Sequence, residues 1–260
     1  MRFHDRQEEI LKSLQQIGSI QVKALAQQWR VTTQTVRRDL AELCETGLAM
    51  RTHGGAKRIN TKAVVAYEEP RLKNTLAKRS VAEAAADLIP HGASLMLNIG
   101  TTTEMVAEAL RLHNGLTVIS NNINVVQILK ASRVKSLVLI GGEIRLSDCA
   151  VIGEDAIKSI SNFKVDFAII GASSIDTDGS ILDFDQREVS VSRSILENAR
   201  KKILVADVSK FAVPALFKIC NAKELDYVIL NELPPSGFKD ILKGEATQLI
   251  ISKDKNAILN

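Results

Sequence analysis

The chain has 260 residues, a formal net charge of +4 and 45% hydrophobic residues, enough for two domains with buried cores. The whole positive excess lies in residues 1–60, which hold ten Lys/Arg and six Asp/Glu, whereas the remaining residues hold 24 of each. A basic N-terminal segment suits an anionic polymer as partner. The three cysteines and four histidines are scattered, which excludes a disulfide framework and predicts no metal site and no cofactor.

The N-terminal residues and the hydropathy of the chain predict neither export nor membrane insertion. The N-terminus, MRFHDRQEE, is charged and lacks the apolar stretch of a signal peptide. No apolar run reaches the length of a membrane span. We therefore expect a cytoplasmic protein with reduced thiols and no membrane partner.

Two short amphipathic helices are predicted before residue 30, because apolar residues recur there at helical spacing. The apolar positions are Ile10, Leu11, Leu14 and Ile17 in the first, and Val22, Leu25, Ala26 and Trp29 in the second. A tight turn then leads into a third helix, so residues of about 20–39 are predicted to form a helix-turn-helix.

The third helix carries the strongest functional signal of the chain. Val36, Leu40 and Leu43 give it one buried stripe, with Thr32 or Thr33 as N-cap and Gly47 as its end. Arg37 and Arg38 lie in its first turns, where the helix dipole disfavours cations but a DNA phosphate or base edge would favour them. A solvated amphipathic helix is the plainer alternative, and the neighbouring helices favour the DNA-binding one.

A short basic strand pair follows in LAMRTHGGAKRI, with a turn at Gly54–Gly55, so the predicted head is a winged helix-turn-helix. One of the two arginines could read a guanine while the other clamps phosphate, and Asp39 could orient one of them or complement the helix dipole. The candidate DNA-binding residues are Thr33, Gln34, Thr35, Arg37, Arg38, Arg51, His53, Gly54, Gly55 and Lys57.

The remainder is predicted to be an α/β domain around a mostly parallel sheet. Apolar runs alternate with helical patterns from Ala93 onward, and the candidate strands are SLMLNI, LTVIS, SLVLI, VDFAII, KILVAD, YVIL and QLIIS. The predicted domains are the head at 3–58, a linker at 59–80 that leads into a helix near Asn74–Leu88, and an effector-sensing domain at 81–252.

Ligands of such sheets bind beyond the carboxyl ends of the strands, so the residues there are candidates. Gly100–Thr103 opens a helix and could cradle a phosphate, although a simple turn with a threonine cap is an equally good interpretation. Small or polar residues at five strand ends indicate a polar anion pocket. The candidate effector-binding residues are Asn98, Gly100, Thr101, Thr102, Thr103, Asn121, Asn122, Gly141, Gly142, Arg145, Asp185, Glu188 and Lys210.

QTVRRDLAELCETGLAMRTHGGA closely resembles the N-terminal signature of the DeoR family of bacterial regulators, and IGTT, NNINV, GGEIR, IGASSIDTDGSILDFDQREV and DVSKF resemble its C-terminal motifs. The resemblance implies that Gln34–Leu43 enters the major groove of double-stranded operator DNA and that Arg51–Lys57 forms the wing. It also implies a Rossmann-like sensor domain related to ribose-5-phosphate isomerase. The family usually has Asp at position 98 and Thr at position 120, where this chain has Asn98 and Ser120.

The function implied by the resemblance is repression of a carbon-metabolism operon, relieved by a small phosphorylated polyol or sugar, with glycerol 3-phosphate as first choice. A homo-oligomer, dimer or tetramer, is implied as well, and no catalytic residue. Repression of a different sugar-phosphate pathway is one alternative. A second is an active sugar-phosphate isomerase that uses Asp183, Asp185 or Glu188, and a third is a constitutive DNA-binding protein with a structural body.

Overall fold

The structure is a computed structural model that describes residues 5–45, 49–52, 54–58, 73–252 and 258–259. The chain divides into two compact units, residues 1–65 and residues 66–260. The predicted linker falls mostly on residues 59–72, outside the described residues, and its last six residues, 75–80, belong to a helix of the second unit.

The described residues of the first unit form three helices and a three-stranded antiparallel sheet with the order β1-β3-β2. Its elements are α1 (Asp5–Ile17), β1 (Ser19–Gln21), α2 (Val22–Gln28), α3 (Thr33–Glu45), β2 (Ala49–Thr52) and β3 (Gly55–Arg58). The predicted three helices and the wing are therefore confirmed. Strand β1 was not predicted, because three residues are too few to show an alternating pattern.

The core of this unit follows the predicted helical stripes except at three positions. Ile10, Leu14, Val36 and other stripe residues are buried. Ile17, predicted to lie on the buried face, is 72% exposed, because α1 ends there and the chain turns into β1. Trp29 follows the end of α2 and is only partly buried, as is Leu11 in α1.

The second unit is built around an eight-stranded sheet. Its helices are α4 (Thr75–Asp87), α5 (Thr101–Leu110), α6 (Ile123–Leu129), α7 (Glu154–Ile160), α8 (Gln186–Glu197) and α9 (Ser236–Ile241). Its strands are β4 (Ser94–Leu97), β5 (Thr117–Ser120), β6 (Ser136–Leu139), β7 (Glu143–Arg145), β8 (Ala150–Ile152), β9 (Val165–Ile170), β10 (Ser174–Ile175), β11 (Ser180–Asp183), β12 (Ala199–Ala206), β13 (Phe217–Asn221), β14 (Tyr227–Leu230), β15 (Gln248–Ile251) and β16 (Ile258–Leu259).

The eight-stranded sheet has the order β16-β15-β14-β12-β9-β4-β5-β6 and is parallel except for β16. All seven predicted strands are in it, so the predicted parallel α/β domain is confirmed. After β4 the chain first builds β5 and β6 on one side, and then builds β9, β12, β14 and β15 on the other. The strand order therefore reverses between β4 and β9, which is where ligand crevices form in open parallel sheets.

Helices cover both faces of the sheet. Residues of α4, α5 and α6 pack on one face with Ile169, Ile203 and Ile229, and residues of α7, α8 and α9 pack on the other face with their strand neighbours Ile170 and Leu204. Two small antiparallel sheets, β7-β8 and β10-β11-β13, add to this frame and were not predicted. Within the described part of the chain, no helix has both the length and the apolar composition that a bilayer crossing requires.

Candidate functional site

The outer surface of α3 presents the predicted DNA-reading residues to solvent. Gln34, Arg37 and Arg38 are exposed, whereas Val36 between them is fully buried. The hydroxyl of Thr32 accepts a hydrogen bond from the Thr35 amide at 3.1 Å, so Thr32 caps the helix and Thr33 is free of that task. Thr32 thus fixes the start of the helix, and the side chains of Gln34, Arg37 and Arg38 in its first turns face solvent.

Asp39, next to the arginine pair in sequence, is directed into the unit. It is 4% exposed and accepts two hydrogen bonds from the guanidinium of Arg6 on α1, at 2.5 and 3.1 Å. The two roles considered for it, orienting Arg37 or Arg38 and complementing the helix dipole, do not describe this contact. Arg38 instead lies 3.8 Å from Glu42 in an exposed pair, which is weak at such exposure.

The wing lies beside this helix. Arg37 on α3 and Arg51 on β2 line one small cleft of about 90 Å³, together with Gly54. Gly55 is buried because β3 pairs with β1 there, and a Cβ atom at this position would lie 1.9 Å from the carbonyl oxygen of Ile20. Lys57 lies in β3, and His53 lies outside the described residues. Arginines from two elements therefore converge on one concave surface.

The second candidate site lies at the reversal of strand order in the parallel sheet. Asn98, which follows β4, is 2% exposed and accepts a hydrogen bond from the Gly171 amide beyond β9 at 3.0 Å. Its amide nitrogen donates to the Ser192 hydroxyl at 3.3 Å. Asn98 therefore bridges the two strands through an oxygen that an aspartate would also have. Its amide nitrogen is the atom that the usual Asp of the resembled family lacks.

The loop after β4 has the geometry of an anion cradle. Gly100 has a φ of 128°, which a residue with a side chain rarely adopts, and it precedes the first turn of α5. Thr103 donates its hydroxyl to the carbonyl oxygens of Asn98 and Gly100, at 2.9 and 2.7 Å, and so stabilises the loop. Thr102 is buried, whereas Thr101 is half-buried at the end of the loop. The α5 N-terminus therefore points at this loop with its amides and dipole.

A lysine that was not predicted reaches this loop from α4. Lys78 is only 3% exposed, and its ammonium donates to the Thr101 hydroxyl at 2.9 Å. Burial lowers the pKa of Lys78, and the nearby charges of Lys210 and Lys73 lower it further, while Asp207 and Glu104 act in the opposite direction. Lys78 and the α5 N-terminus place positive charge at the Thr101 hydroxyl, and Lys210 and Lys73 add to it. This arrangement favours an anionic ligand at Thr101.

The end of β12 adds a second set of polar groups near Lys78. Asp207 caps the 3-10 helix Val208–Ala212 through the Ser209 amide, and Lys210 lies half-buried in that helix. Asn74 adopts the left-handed conformation, with a φ of 56°, and its side-chain amide donates to Asp207 and Ser209 at 3.0 Å each. The start of α4 is therefore attached to the β12 end of the site.

The end of β5 contributes two buried asparagines. Asn122 caps α6 through the Asn124 amide and donates to the Glu104 carboxylate at 3.1 Å. Asn121 donates to the Val151 carbonyl at 3.0 Å, and its side-chain oxygen is buried with no hydrogen-bond partner among the described residues. The glycine pair Gly141–Gly142 follows β6, and the backbone of Gly142 packs closely against Val151 and Ile152 of β8.

Arg145 lies in a cluster of carboxylates. Its guanidinium contacts Asp148 and Glu188 at 2.6 Å and Asp185 at 2.8 Å. Burial alone would lower the pKa of Arg145, but the hydrogen bonds to Asp148 and Glu188 raise it overall. Asp185 also caps α8 through the Arg187 amide. Arg145 thus attaches the β7-β8 hairpin to the start of α8.

Among the carboxyl groups of this cluster, that of Glu188 has the largest shift in pKa. It is 8% exposed, and burial, together with the negative charge of Asp183, raises its pKa to about 8 although Arg145 opposes the shift. Burial and the neighbouring carboxylates of Asp183 and Asp148 favour the protonated form of Glu188, and the one guanidinium of Arg145 does not offset them. Glu188 can therefore donate as well as accept a hydrogen bond near neutral pH.

Sequence reasoning missed Lys78, Asn74, Glu104 and Asp207. Lys78 and Asn74 lay in the range predicted as linker, and the predicted start of the sensor domain at residue 81 left both outside it, whereas they belong to the second compact unit. A lysine on the buried stripe with Val81, Ala82 and Ala85 was the available signal, since a charge rarely shares such a stripe without a purpose.

Comparison with known proteins agrees with this geometry. Residues 6–62 match the family model of the DeoR-like helix-turn-helix domain, and residues 73–232 match that of the DeoR C terminal sensor domain. The chain belongs to the DeoR family. The two matched ranges contain α3 with its wing and the crevice between β4 and β9, respectively, so both candidate sites lie in DeoR-family domains.

Relatives of this DeoR-family chain are named as transcriptional repressors. It is 38% identical to the glycerol-3-phosphate regulon repressor of Haemophilus influenzae, over 96% of this chain and 97% of that protein. It is 37% identical to the repressor of the same name from Escherichia coli K12, over 96% and 99%. It is also 34% identical to the transcriptional repressor CsqR of Escherichia coli K12, over 96% and 95%. The DeoR-family chain is thus a DNA-binding transcriptional repressor.

Solved structures give a distant likeness. Ribose 5-phosphate isomerase A from Methanocaldococcus jannaschii matches with a TM-score of 0.39 and 18% identity, over 54% of this chain and 55% of that chain. The eIF2B beta subunit from Chaetomium thermophilum matches with a TM-score of 0.44 and 17% identity, over 59% and 48%.

Proposed function

We propose that the protein represses a carbon-metabolism operon and releases its operator when a small phosphorylated polyol or sugar binds between β4 and β9. The main support for effector binding is the buried ammonium of Lys78, which lies 2.9 Å from the Thr101 hydroxyl at the start of α5. Operator binding by the head is supported by the exposed arginines of α3 beside the wing. The protein acts in the cytoplasm as a homo-oligomer, a dimer or tetramer, because two heads can read two half-sites.

In this proposal the head contacts DNA through residues of three kinds. Arg37 and Arg38 contact base edges or phosphates from α3, with Thr33, Gln34 and Thr35 at the helix start as hydrogen-bonding neighbours. Arg51 contacts the backbone from the wing, with His53 and Lys57. Gly54 and Gly55 shape the wing, so their contribution is conformational.

The effector's phosphate lies on the Gly100–Thr103 loop, held by the α5 N-terminus, Lys78 and Lys210. Its hydroxyl groups meet Asn98 and the asparagines after β5 on one side, and the Asp185–Glu188 segment on the other. Arg145 is already bound by three carboxylates, so its role is to hold the hairpin and α8 together. Glycerol 3-phosphate is our first choice, because two of the relatives named above are glycerol-3-phosphate regulon repressors.

A second candidate function is sugar-phosphate isomerisation, favoured by one observation. Glu188 is buried and its pKa of about 8 lets it exchange a proton at neutral pH, as a general base must. We place it second because Arg145 already holds Glu188 at 2.6 Å. Ribose 5-phosphate incubated with the full chain distinguishes the two, since turnover that Glu188→Gln abolishes would establish an enzyme.

The first test is calorimetry of the full chain against glycerol 3-phosphate, ribose 5-phosphate and fructose 1-phosphate. Lys78→Met should weaken phosphate-ligand binding about 10- to 100-fold, the usual loss for a charge-assisted hydrogen bond. The melting temperature of the same variant separates a loss of binding from a loss of folding. Lys130→Met, an exposed lysine after α6, is the control and should leave affinity unchanged. Equal affinity of the wild type and Lys78→Met for the tightest ligand would overturn the phosphate site.

The second test measures coupling between effector and operator. A change of about 100-fold in operator affinity corresponds to roughly 2.7 kcal/mol, and operator DNA must then weaken effector binding by the same factor. A Thr101→Val, Lys210→Ala double variant should bind operator normally and ignore the effector. Tighter operator binding in the presence of effector would reverse the proposed sign.

A further inference from the structure

Arg37 and Arg38 are neighbours in sequence, but they lie on different sides of α3. The buried stripe of this helix consists of Val36, Leu40 and Leu43. With about 100° between successive residues, Arg38 lies almost opposite the stripe, whereas Arg37 lies about a quarter turn from its centre. The side opposite the stripe projects farthest from the head and reaches base edges in a groove, while the flank faces the sugar-phosphate backbone. The two arginines therefore face different parts of a duplex.

Arg37 lies beside the wing, where it shares a cleft with Arg51. The cleft has a volume of about 90 Å³, and Thr52 and Gly54 line it as well. Among the described residues, no carboxylate pairs with either guanidinium. Guanidinium and phosphate groups form charge-assisted hydrogen bonds, so a concave surface with two such cations suits one phosphate group. The phosphate backbone is the same in every sequence, and this contact therefore adds affinity without discrimination.

Arg38 has a different neighbour, Glu42, which lies one turn further along α3. One oxygen of the Glu42 carboxylate lies 3.8 Å from Nε of Arg38, and the other accepts a hydrogen bond from the side-chain amide of Gln7 on α1 at 2.5 Å. Gln7 is buried, so it attaches Glu42 to the body of the head. Because Glu42 contacts Nε, the two terminal nitrogens of Arg38 are left for a bidentate contact with guanine O6 and N7.

A carboxylate on this surface has a cost for DNA binding. The Glu42 side chain is 53% accessible and lies on the same side of α3 as Arg38, so its charge repels the phosphates of a bound duplex. An exposed pair between Arg38 and Glu42 adds little to the stability of the helix. Neither affinity nor stability accounts for an acid at this position, whereas orientation of the Arg38 guanidinium does.

We infer that Arg38 reads a base pair, with Glu42 as its positioning residue, and that Arg37 and Arg51 together bind one phosphate whatever the sequence. The inference rests on the proposed contact of the head with DNA and deepens it. It assigns the discrimination between sequences to one arginine of the pair. It also gives a role in specificity to Glu42, which was not among the predicted site residues.

The test uses the full chain and a pool of DNA duplexes of randomised sequence, from which the wild type selects its preferred site. Arg38→Lys keeps the charge but loses the planar fork, so discrimination at one base pair should fall about 5- to 150-fold while the salt dependence is retained. Arg37→Lys is the matched comparison and should change affinity for all sequences equally. Arg37→Met should weaken binding to all sequences alike and reduce the slope with salt by about one.

Glu42→Gln gives a readout that a merely structural role would not move. Affinity for arbitrary DNA should rise about two- to fivefold, the size of one exposed electrostatic interaction, while discrimination at the base pair read by Arg38 falls. Glu108→Gln, at an exposed glutamate that pairs with Arg111 on α5, is the control and should change neither quantity.

Two outcomes overturn the inference. One is discrimination that Arg37→Lys relaxes and Arg38→Lys does not, and the other is discrimination that Glu42→Gln leaves unchanged. The wild-type selection separates this failure from failure of the proposed function. A wild-type chain that enriches no sequence refutes operator binding as well, whereas one that enriches a sequence to which the Arg38 and Glu42 variants are indifferent refutes this inference alone.

Discussion

Arg6 and Asp39 are bound to each other across α1 and α3, with two hydrogen bonds between guanidinium and carboxylate. Asp39 is nearly buried, and its hydrogen bond is the main reason that the pKa of Arg6 is raised. The acid that lies beside the DNA-reading arginines in sequence therefore fixes the position of α3 on the head. Orientation of the reading helix depends on a contact made from its opposite side.

Replacing Asp39 with Asn should destabilise the head by about 1–3 kcal/mol, because a partly buried guanidinium loses its charged partner. The measurement is denaturant unfolding of the full chain followed by a probe in the head, such as the fluorescence of Trp29. Arg38→Ala on the exposed face of the same helix is the control and should change stability by about 0.5 kcal/mol or less. Equal stability of Asp39→Asn and wild type would show that the pair contributes no net free energy.

Arg37→Ala and Arg38→Ala should both weaken operator binding, and the pattern of loss should identify their roles. Loss of a base-reading arginine should cost about 1–3 kcal/mol and relax specificity at one position. Loss of a phosphate contact should weaken all sequences alike and reduce the salt dependence. The assay is operator titration over several salt concentrations, with Arg111→Ala on the surface of α5 as control. Wild-type affinity in both variants would leave the wing as the main reader.

Gly55→Ala should detach the wing from β1. The new Cβ atom would lie 1.9 Å from a backbone oxygen of Ile20, which no side-chain rotation can relieve. We expect a loss of about 1–3 kcal/mol or more in head stability together with reduced operator affinity. Gly237→Ala at an uncrowded position of α9 is the matched control. Melting curves that are superimposable on the wild type would contradict the β1-β3 pairing.

Stability should fall as pH rises through the titration of Glu188. Its pKa is about 8 in the folded chain against an ordinary value of 4.5, so between these values the folded state binds more protons than the unfolded state. The contribution is fully present below about pH 4.5 and is lost as pH approaches and passes 8. Glu188→Gln should reduce the change of the denaturation midpoint with pH between pH 5 and 8. A wild-type midpoint that rises over this range would refute the assignment.

Much of the fold was predictable because its signals are local. The seven sheet strands are apolar runs bounded by polar residues, and the stripe of Val36, Leu40 and Leu43 sets the buried face of α3. Strands of two or three residues, such as β1 and β10, were missed because they owe their structure to a distant partner and show no period of their own.

The candidate sites were predictable to the extent that strand ends and helix starts mark them. Gly100–Thr103 and Asn98 were found in this way. Lys78 was not, because it precedes β4 in the chain and only the packing of α4 beside α5 brings it to Thr101. Arg145 was predicted to bind the effector, and its contacts with Asp185 and Glu188 were not, because these carboxylates lie about forty residues further along the sequence.

The position of Asn74 and Lys78 has a consequence for how a signal could leave the sensor domain. Both lie in or next to the first turn of α4, the first helix after residues 59–72, which connect it in sequence to the head. In the proposed function, an effector that binds Lys78 would thus contact the chain within one helical turn of Asn74, whose side-chain amide holds that entry to Asp207. Such a signal need not cross the sheet, because the proposed phosphate contact Lys78 lies in α4, the same helix that follows the connection to the head.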